Sequence, residues 1–535
     1  MAVDFAFGSV PSFYREVYDI LCPDETQQID QDMFVKLLVK SSLPKATLLS
    51  IWEIIDAGQG YLTRAGLYKA LALTSLAQQG KQVNEKLLQN LYGEELPKPA
   101  LGDLSDLKYL SAKVKRDKNP ARLGMNYVDV CDIDTITVEM VPEKKGLFLK
   151  HFEYEVSSTR SKSVVKRRYN DFVALFEVLL LRYPYRIIPR LPPKKVNTDA
   201  QFREERRRSL KRFLTLVCRH PVISEDRIIT YFLTYSGSDC QTKIRDQFRG
   251  FPDEYMTSDH ALDAKDFVPI DTQAQFINCK EQMKAIYNCV AQMRAAVERM
   301  AIRSQDSAAD MLIISKELSN LSNKPHPESS WGTGGVETWE ILKTSFRSLN
   351  PHMNKLSEML LQQSAVQEDD VIEMFDLFLD LMIAYKDLCD RHDRGVLGDH
   401  QRAMSKMVNM SKRKSSNKGD VTCLYVWSNK QEFNNKGNLN ENILQQEQEL
   451  ANMENRSYFS LHCIHTETQL VHVYMETLSV AFKNLVLVQK GSHKDLLSAW
   501  EEILPFTEAM SSAPTTPGSP LPSPSTENYP KFPIK

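Results

Sequence analysis

The sequence lacks long hydrophobic runs. Apolar runs such as those at 54–55 and 178–181 are a few residues long, whereas a helix that crosses a bilayer needs about 20 apolar residues. The first residues also lack the basic segment and continuous apolar stretch of a secretory signal. These absences predict a chain that stays in the cytosol and has no membrane-spanning segment.

The patterns that hold metals, cofactors or catalytic groups are also missing. The nine cysteines are scattered and form no Cys-x-x-Cys pair or Cys/His cluster at zinc spacing. No phosphate-binding Gly-x-x-x-x-Gly-Lys-Ser/Thr loop, His-Glu-x-x-His or Gly-x-Ser-x-Gly motif occurs. The densest glycine cluster, 332–335, contains no lysine and predicts a turn between helices. The sequence therefore predicts no enzyme, no cofactor and no bound metal.

Charge is nearly balanced over the whole chain but concentrated in one segment. The formal net charge of 535 residues is −2, yet the segment 160–212 holds sixteen basic and five acidic residues, an excess of eleven positive charges. Such a concentration attracts anions over long distances. Nucleic acid, an acidic protein and an anionic lipid surface all stay possible partners at this point, as does a merely solvated face.

Hydrophobic spacing divides the chain into regions of different structure. Helical patterns fill 1–95, a Pro- and charge-rich linker covers 96–125, and alternating apolar residues from Val128 predict three strands and then a helix from Asn170 to Arg182. This α+β domain covers 126–235, and a second linker covers 236–270. Apolar residues three and four apart then predict a bundle of three long helices over 271–507 that forms a dimeric rod. A Pro/Ser-rich tail at 508–535 predicts disorder.

Three motifs in the α+β region resemble the PX domains, a family of phosphoinositide readers. They are Arg-Arg-Tyr-Asn-Asp-Phe at 167–172, Pro-Arg-Leu-Pro-Pro-Lys at 189–194 and Arg-Glu-Glu-Arg-Arg at 203–207. The resemblance implies that Arg168 binds the 3-phosphate of phosphatidylinositol 3-phosphate and that Tyr169 stacks beneath the inositol ring. It also implies that Lys194 meets the 1-phosphate and Arg206 the ring hydroxyls, while the loop containing Val196 presses into the bilayer interface.

A PX unit followed by a long helical bundle resembles the sorting nexins that end in a BAR domain, where two three-helix subunits form a curved dimer. Two linked lipid sites on one dimer gain avidity. A basic cluster at the predicted end of the second helix is expected to touch the membrane, because such clusters are attracted to anionic lipid. The strand-like segment 421–427 does not fit the bundle, and its role stays open. The basic cluster consists of Lys406, Lys412, Arg413, Lys414 and Lys418.

The N-terminal region contains Ser-Leu-Pro at 42–44, Ile-Trp-Glu-Ile-Ile-Asp at 51–56 and Gly-Tyr-Leu-Thr at 60–63, followed by leucines from 67 to 73. With these segments it resembles an EH domain, a paired EF-hand module that binds Asn-Pro-Phe peptides. The resemblance implies a peptide pocket lined by Leu38, Leu48 and Trp52, although these three could equally be core of a helical domain. Calcium binding is not expected, because the loop after Asp56 ends in Leu67 where an EF-hand needs a bidentate glutamate. The order of modules is most similar to the sorting nexin eight group and its fungal counterpart.

The sequence therefore predicts a multidomain protein made of a small all-α EF-hand-like unit, an α+β PX domain and a three-helix BAR bundle. The predicted function is that of a non-enzymatic coat protein on the cytosolic face of early endosomes, which binds phosphatidylinositol 3-phosphate, forms homodimers and remodels membrane into tubules for cargo sorting. One alternative is a peptide-binding scaffold without lipid specificity. Another is a nucleic-acid binder, which is less favoured because no stacking motif accompanies Tyr169, Tyr183 and Tyr185.

Overall fold

The computed structural model describes residues 10–22, 29, 31–55, 62–84, 95–118, 120–141, 152–195, 199–269, 271–323, 336–419 and 431–511. Several sequence predictions lie outside these residues, namely those for the loops after residues 22 and 55, for Val196, for the glycine cluster 332–335, for the segment 421–427 and for the tail from 512. The side chains of Lys412, Arg413, Lys414 and Lys418 lie outside the described set as well.

Four helices build the N-terminal region: α1 (Ser12–Leu21), α2 (Gln31–Val39), α3 (Lys45–Ile55) and α4 (Arg64–Gln78). A short antiparallel bridge joins Ile29 to Leu62 immediately before α2 and α4. Thr63 caps α4 by accepting a hydrogen bond from the Gly66 amide, which satisfies a donor that the helix start leaves unpaired. The predicted all-helical unit is therefore present in the described part of this region.

The segment 96–125, which the composition predicts to be a linker, packs against these helices instead. Leu101 and Leu107 are buried in the N-terminal core, and Gln78 pairs with both the amide and the carbonyl of Ala100. Helix α5 (Ser105–Lys118) then leads to α6 (Tyr127–Asp132), a helix where the sequence pattern predicts the start of a strand. Asn126 and Asp129 form a reciprocal cap at its start, and this capping box explains why local polar chemistry overrides the β-branched pattern.

The α+β region is a three-stranded antiparallel sheet in the order β1 (Ile136–Met140), β2 (Glu153–Ser158) and β3 (Ser163–Arg168). Helices α7 (Tyr169–Arg182), α8 (Ala200–Cys218) and α9 (Arg227–Thr234) cover one face of it. The register pairs Glu153 with Arg168 at the end of β3. Val156, Phe172 and Phe213 are buried in the shared core. The three predicted strands and the helix after them are confirmed.

The second predicted linker, 236–270, is folded too. It contains α10 (Cys240–Phe248), α11 (Glu254–Thr257) and a 3₁₀ turn at Ala264–Phe267. Cys240 and Ile244 extend the core of the α+β domain, and Tyr255 packs edge-to-face on Phe459 of the later helices. The segment therefore attaches the α+β domain to the helical region rather than separating them.

The remaining chain forms three long helical stretches, as the seven-residue apolar spacing predicts. They are α12 (Thr272–Asn323); then α13 (Val336–Gln367), α14 (Glu373–Arg391) and α15 (Gly398–Gly419), joined through π-helical turns at Glu368–Ile372 and His392–Leu397; then α16 (Gln431–Tyr474) and α17 (Glu476–Ser511). The buried positions of α12 follow the predicted repeat, since Phe276, Met283, Val290 and Val297 are each seven residues apart.

The chain divides into two compact units. One comprises Met1–Cys289 with Asp376–Leu478, and the other comprises Val290–Phe375 with Ser479–Lys535. The core of the second unit contains Leu356 and Ile503, and the buried Ser357 hydroxyl donates to the Ala308 carbonyl at 2.8 Å. This polar contact between neighbouring helices fixes their register within that unit.

Among the residues that the structure describes, one helical stretch is long and apolar enough to cross a membrane, which differs from the sequence prediction. An 18-residue window within Leu444–Glu508 has a mean hydropathy of 1.2, and 22% of that window is buried. Isolated polar residues divide this window, so no uninterrupted apolar run marks it in the sequence. A helix that offers an apolar face to another protein surface has the same composition, so this finding alone assigns no span.

Candidate functional site

The candidate site lies where β3 ends and α7 begins. Arg168 is the last residue of β3, and its backbone amide donates to Asp171 Oδ2 at 2.7 Å. The other oxygen of Asp171 accepts from the Gln241 amide of α10 at 2.9 Å. Burial raises the pKa of the Asp171 carboxyl, an effect that these amide donors oppose. Asp171 thus fixes the backbone from which the Arg168 side chain projects.

The Arg168 side chain remains accessible, with 42% of its surface exposed. Its Nε lies 3.5 Å from Oε1 of Glu153, which stands directly opposite on β2. Its neighbour Arg167 behaves differently, because that guanidinium is buried in the core and donates to the carbonyls of Phe232 and Tyr235. Strand alternation separates the two arginines, and only Arg168 faces a possible ligand.

Tyr169 and Arg206 form the next part of the site. The Arg206 guanidinium lies 5.0 Å from the centroid of the Tyr169 ring, a distance typical of a cation–π contact. The Tyr169 hydroxyl donates to the Pro192 carbonyl at 2.5 Å, and burial raises the pKa of that hydroxyl. The tyrosine ring therefore stands fixed between Arg206 and the proline loop.

Arg206 also positions Lys194. The Arg206 Nη2 donates to the Pro193 carbonyl at 3.2 Å and to the Lys195 carbonyl at 3.4 Å. These two carbonyls flank Lys194, whose side chain is exposed. Burial of Arg206, which is 8% exposed, makes this support rigid. The structure thus brings Arg168, Tyr169, Lys194 and Arg206 into one region, as the motif order predicts, while their binding roles stay predictions.

Part of the positive charge counted in the sequence is neutralised by neighbours. Glu204 pairs with Arg207 and Arg208 on α8, and hydrogen bonds from Arg207 in particular lower the pKa of that carboxyl to about 2. Arg190 makes two hydrogen bonds to Asp387, at 2.5 and 2.6 Å. The charge available to a ligand is therefore smaller and more localised than the excess of eleven suggests.

Sequence reasoning missed a second group of charged residues, which joins the α+β domain to the helical region. The Arg186 guanidinium donates to both oxygens of Glu254 and, through Nη1, to Thr466 and Glu467. Its side chain is 10% exposed and that of Glu467 is 2% exposed. No local motif marks this cluster, because its members come from distant parts of the chain.

His220 completes the cluster in one tautomer. Its Nδ1 accepts from the amides of Val222 and Ile223 at 3.1 and 3.2 Å, so the ring proton lies on Nε2, which donates to Glu467 at 3.0 Å. Contact with His220 and Arg186 lowers the pKa of the Glu467 carboxyl, although burial acts in the opposite direction. A buried charge that accepts several hydrogen bonds stays ionised and orders its partners.

The remaining predicted site residues have mixed locations. Lys406 is exposed on α15, as a membrane contact requires. In the N-terminal unit Leu38 is a core residue, 4% exposed, whereas Leu48 and Trp52 are half-buried at the edge of that core. Only the latter two can therefore contribute directly to a peptide pocket in this conformation.

The comparison with known proteins matches both main regions. Residues 155–236 match the PX domain, and residues 250–484 match the Sorting nexin 8/Mvp1 BAR domain. Sorting nexin-8 of Homo sapiens is 42% identical over 407 residues, which cover 76% of this chain and 86% of the human protein. The chain belongs to the sorting nexin family. Sorting nexin mvp1 of Aspergillus oryzae is 31% identical over 53% of this chain and 39% of the fungal protein.

Membership of this family indicates the general role of the protein. Sorting nexins with PX and BAR domains are non-enzymatic proteins that bind and remodel membrane in trafficking, on the cytosolic face of endosomal membranes. The fold is similar to that of a solved structure, the cryo-EM structure of the SNX-BAR Mvp1 tetramer, with a TM-score of 0.53. The two sequences are 22% identical, and the match covers 69% of this chain and 99% of the Mvp1 chain. The multidomain architecture predicted from the sequence is thus confirmed, whereas the EH-like assignment of the N-terminal helices stays a prediction.

Proposed function

We propose that this sorting nexin binds phosphatidylinositol 3-phosphate through Arg168, Tyr169, Lys194 and Arg206. The observation that carries the proposal is the position of Arg206, which lies over the Tyr169 ring and holds the carbonyls on either side of Lys194, while Arg168 directly precedes Tyr169 in the chain. Arginine makes paired hydrogen bonds to phosphate oxygens, and an exposed Arg168 beside a fixed aromatic ring suits a phosphorylated ring ligand.

We further propose that the protein forms homodimers and shapes early endosomal membrane into tubules for cargo sorting. Support comes from α17, where Val486, Leu487, Leu497, Trp500 and Leu504 are exposed. Exposed apolar residues of this number on one helix indicate a protein interface. The basic cluster from Lys406 to Lys418 then adds attraction to anionic lipid.

A peptide-binding role of the N-terminal unit is a second proposal. Val35 and Leu49 are exposed on α2 and α3, and the half-buried Trp52 packs on Phe34 at 5.7 Å between ring centroids. The Ile29–Leu62 bridge joins the two helical pairs as expected for paired EF-hands. An Asn-Pro-Phe peptide is the ligand that the EH resemblance implies.

The test of lipid binding is co-sedimentation of the full chain with liposomes at physiological salt, with and without phosphatidylinositol 3-phosphate. The variant Arg168→Glu is expected to lose the lipid-dependent pelleting almost completely, because a carboxylate repels the phosphate that the guanidinium would hold. Arg249→Glu is the matched control, since Arg249 is exposed on the same domain and the charge change is identical.

Equal pelleting of the wild type and the Arg168 variant would contradict the lipid site. Loss in both variants would indicate nonspecific charge attraction instead. Binding of RNA that weakens only slightly in the Arg168 variant would favour the nucleic-acid alternative, because many contacts share the load in such complexes.

A further inference from the structure

A carboxylate stands directly behind the proposed phosphate-binding arginine. Glu153 is the residue opposite Arg168 in the β2–β3 register, and its side chain is 7% exposed. Oε1 of Glu153 lies 3.5 Å from Nε of Arg168. The strand register places the two residues opposite each other, so the acidic group lies beside Arg168.

The geometry assigns different parts of Arg168 to different partners. Nε faces Glu153, so a phosphate would use the two terminal Nη groups, which are the bidentate donors for phosphate oxygens. Arg168 would then be shared between a buried carboxylate and the ligand. The single guanidinium charge of Arg168 does not neutralise such a ligand, because a phosphate monoester carries a charge of about −1.5 to −2 at neutral pH.

Repulsion from Glu153 therefore grows with the charge of the headgroup. A single monoester near Arg168 is tolerated, because the arginine lies between it and the carboxylate. Each further monoester on the inositol ring adds like charge in a partly desolvated site, where Coulomb interactions are stronger than in water. Asp171 is a second carboxylate beside Arg168, but its two oxygens accept from the backbone amides of Arg168 and Gln241.

We propose that Glu153 is a specificity-determining residue that limits the site to headgroups with one phosphomonoester. The inference rests on the proposed lipid function and adds to it a limit on the charge of the headgroup that the site accepts. Sequence motifs do not reveal it, because Glu153 lies two residues before the matched PX region and becomes relevant only through its strand partner.

The experiment compares short-chain, soluble phosphatidylinositol 3-phosphate with the corresponding 3,4,5-trisphosphate by calorimetry on the full chain. Soluble lipids avoid the membrane attraction of the helical region. The variant Glu153→Gln keeps the side-chain shape and removes the charge, and we expect the affinity for the trisphosphate relative to the monophosphate to rise about tenfold. Glu155→Gln is the matched control, because Glu155 lies on the same strand but is exposed, where screening by salt leaves the ratio unchanged.

A ratio that stays the same in Glu153→Gln would overturn the inference, as would a parallel loss of both affinities, which would mean that Glu153 only holds Arg168 in place. If the glutamine variant does not fold, Glu153→Thr is the second neutral variant, since threonine suits a strand, and the same rise in ratio is expected. A wild-type protein that binds neither lipid would contradict the proposed lipid function itself, which is a different result from an unchanged affinity ratio.

Discussion

Two arginines of the same domain, Arg186 and Arg168, have different surroundings and therefore different roles. Arg186 is almost buried, and its guanidinium donates to Glu254, Thr466 and Glu467. Arg168 is 42% exposed, and within the described part of the chain its guanidinium makes one hydrogen bond, to Glu153. A saturated arginine holds domains together, whereas one with unused donors can bind a ligand.

The difference also predicts opposite effects of substitution. Removing one partner of a buried ion pair leaves the other charge uncompensated, which costs far more than removing an exposed pair. Substitutions around Arg186 should therefore change stability, whereas those around Arg168 should change binding.

The largest effect on stability is expected for Glu467→Ala. The change removes one of the acceptors of Arg186 and leaves the Nε2–H of His220 and the Ile187 amide without their buried acceptor. Since each unpaired buried donor costs about 1–3 kcal/mol, the free energy of unfolding of the unit that contains the α+β domain should fall by about 3–5 kcal/mol. Denaturant unfolding followed by intrinsic fluorescence measures the effect. The Arg249→Glu protein, which is changed at an exposed residue, serves as the control and should unfold like the wild type.

An unchanged unfolding midpoint in Glu467→Ala would contradict the structural role of the Arg186 cluster. A sharper form of the test is the triple variant Arg186→Met with Glu254→Leu and Glu467→Leu. It removes all three charges of the cluster together and should recover part of the lost stability, because apolar side chains often replace buried ion pairs without loss.

Acidification is expected to have the next largest effect, because two buried histidines of the helical region are held neutral. Burial lowers the pKa of His462 to about 3 and that of His392 to about 4. Between these values and an unfolded pKa of about 6.5, the unfolded chain binds more protons than the folded one. Stability therefore falls as the pH drops below about 6.5, by up to about 1.4 kcal/mol per pH unit for each histidine.

Thermal unfolding at pH 7, 6 and 5 measures this dependence. His462→Leu should flatten it, because leucine binds no proton, while the exposed His472 provides the control position. Glu467 adds a loss in the same direction at lower pH, since a lowered pKa makes its contribution disappear only when the pH falls below about 4.5. An equally steep pH dependence in His462→Leu contradicts the assignment.

The smallest effect is expected for Asp387→Asn, which removes the half-buried partner of the exposed Arg190. The side chain of Arg190 is 60% exposed, and exposed ion pairs contribute about 0–1 kcal/mol. The melting temperature should therefore change little, while freed Arg190, near Lys194 in the chain, should increase pelleting with anionic liposomes that lack phosphoinositide. Asp380→Asn is the matched control, because its partner Arg212 is 13% exposed. Unchanged pelleting of the Asp387 variant would show that Arg190 does not reach the membrane.

Much of the fold could be predicted because the relevant signals are local. Alternating apolar residues predict β2 and β3, and the spacing that follows predicts α7. Val130 misled the prediction, because its β-branched type favours a strand while the Asn126 and Asp129 cap stabilises a helix. The segments 96–125 and 236–270 were predicted to be linkers, but they are packed against the neighbouring domains. Their proline and charge content does not show which surfaces the leucines and aromatic residues between them cover.

The sequence by itself determined the family, the order of the modules and the four residues of the proposed lipid site, because these depend on motifs within short segments. Only the tertiary structure decided which arginines can bind a ligand. The sequence alone does not distinguish them, although they differ in the structure: Arg167, Arg168, Arg186 and Arg190. Their difference arises from acceptors far away in the chain, such as Phe232, Glu467 and Asp387. Burial and distant partners set the energy of a charge, and neither can be read from residue type or spacing.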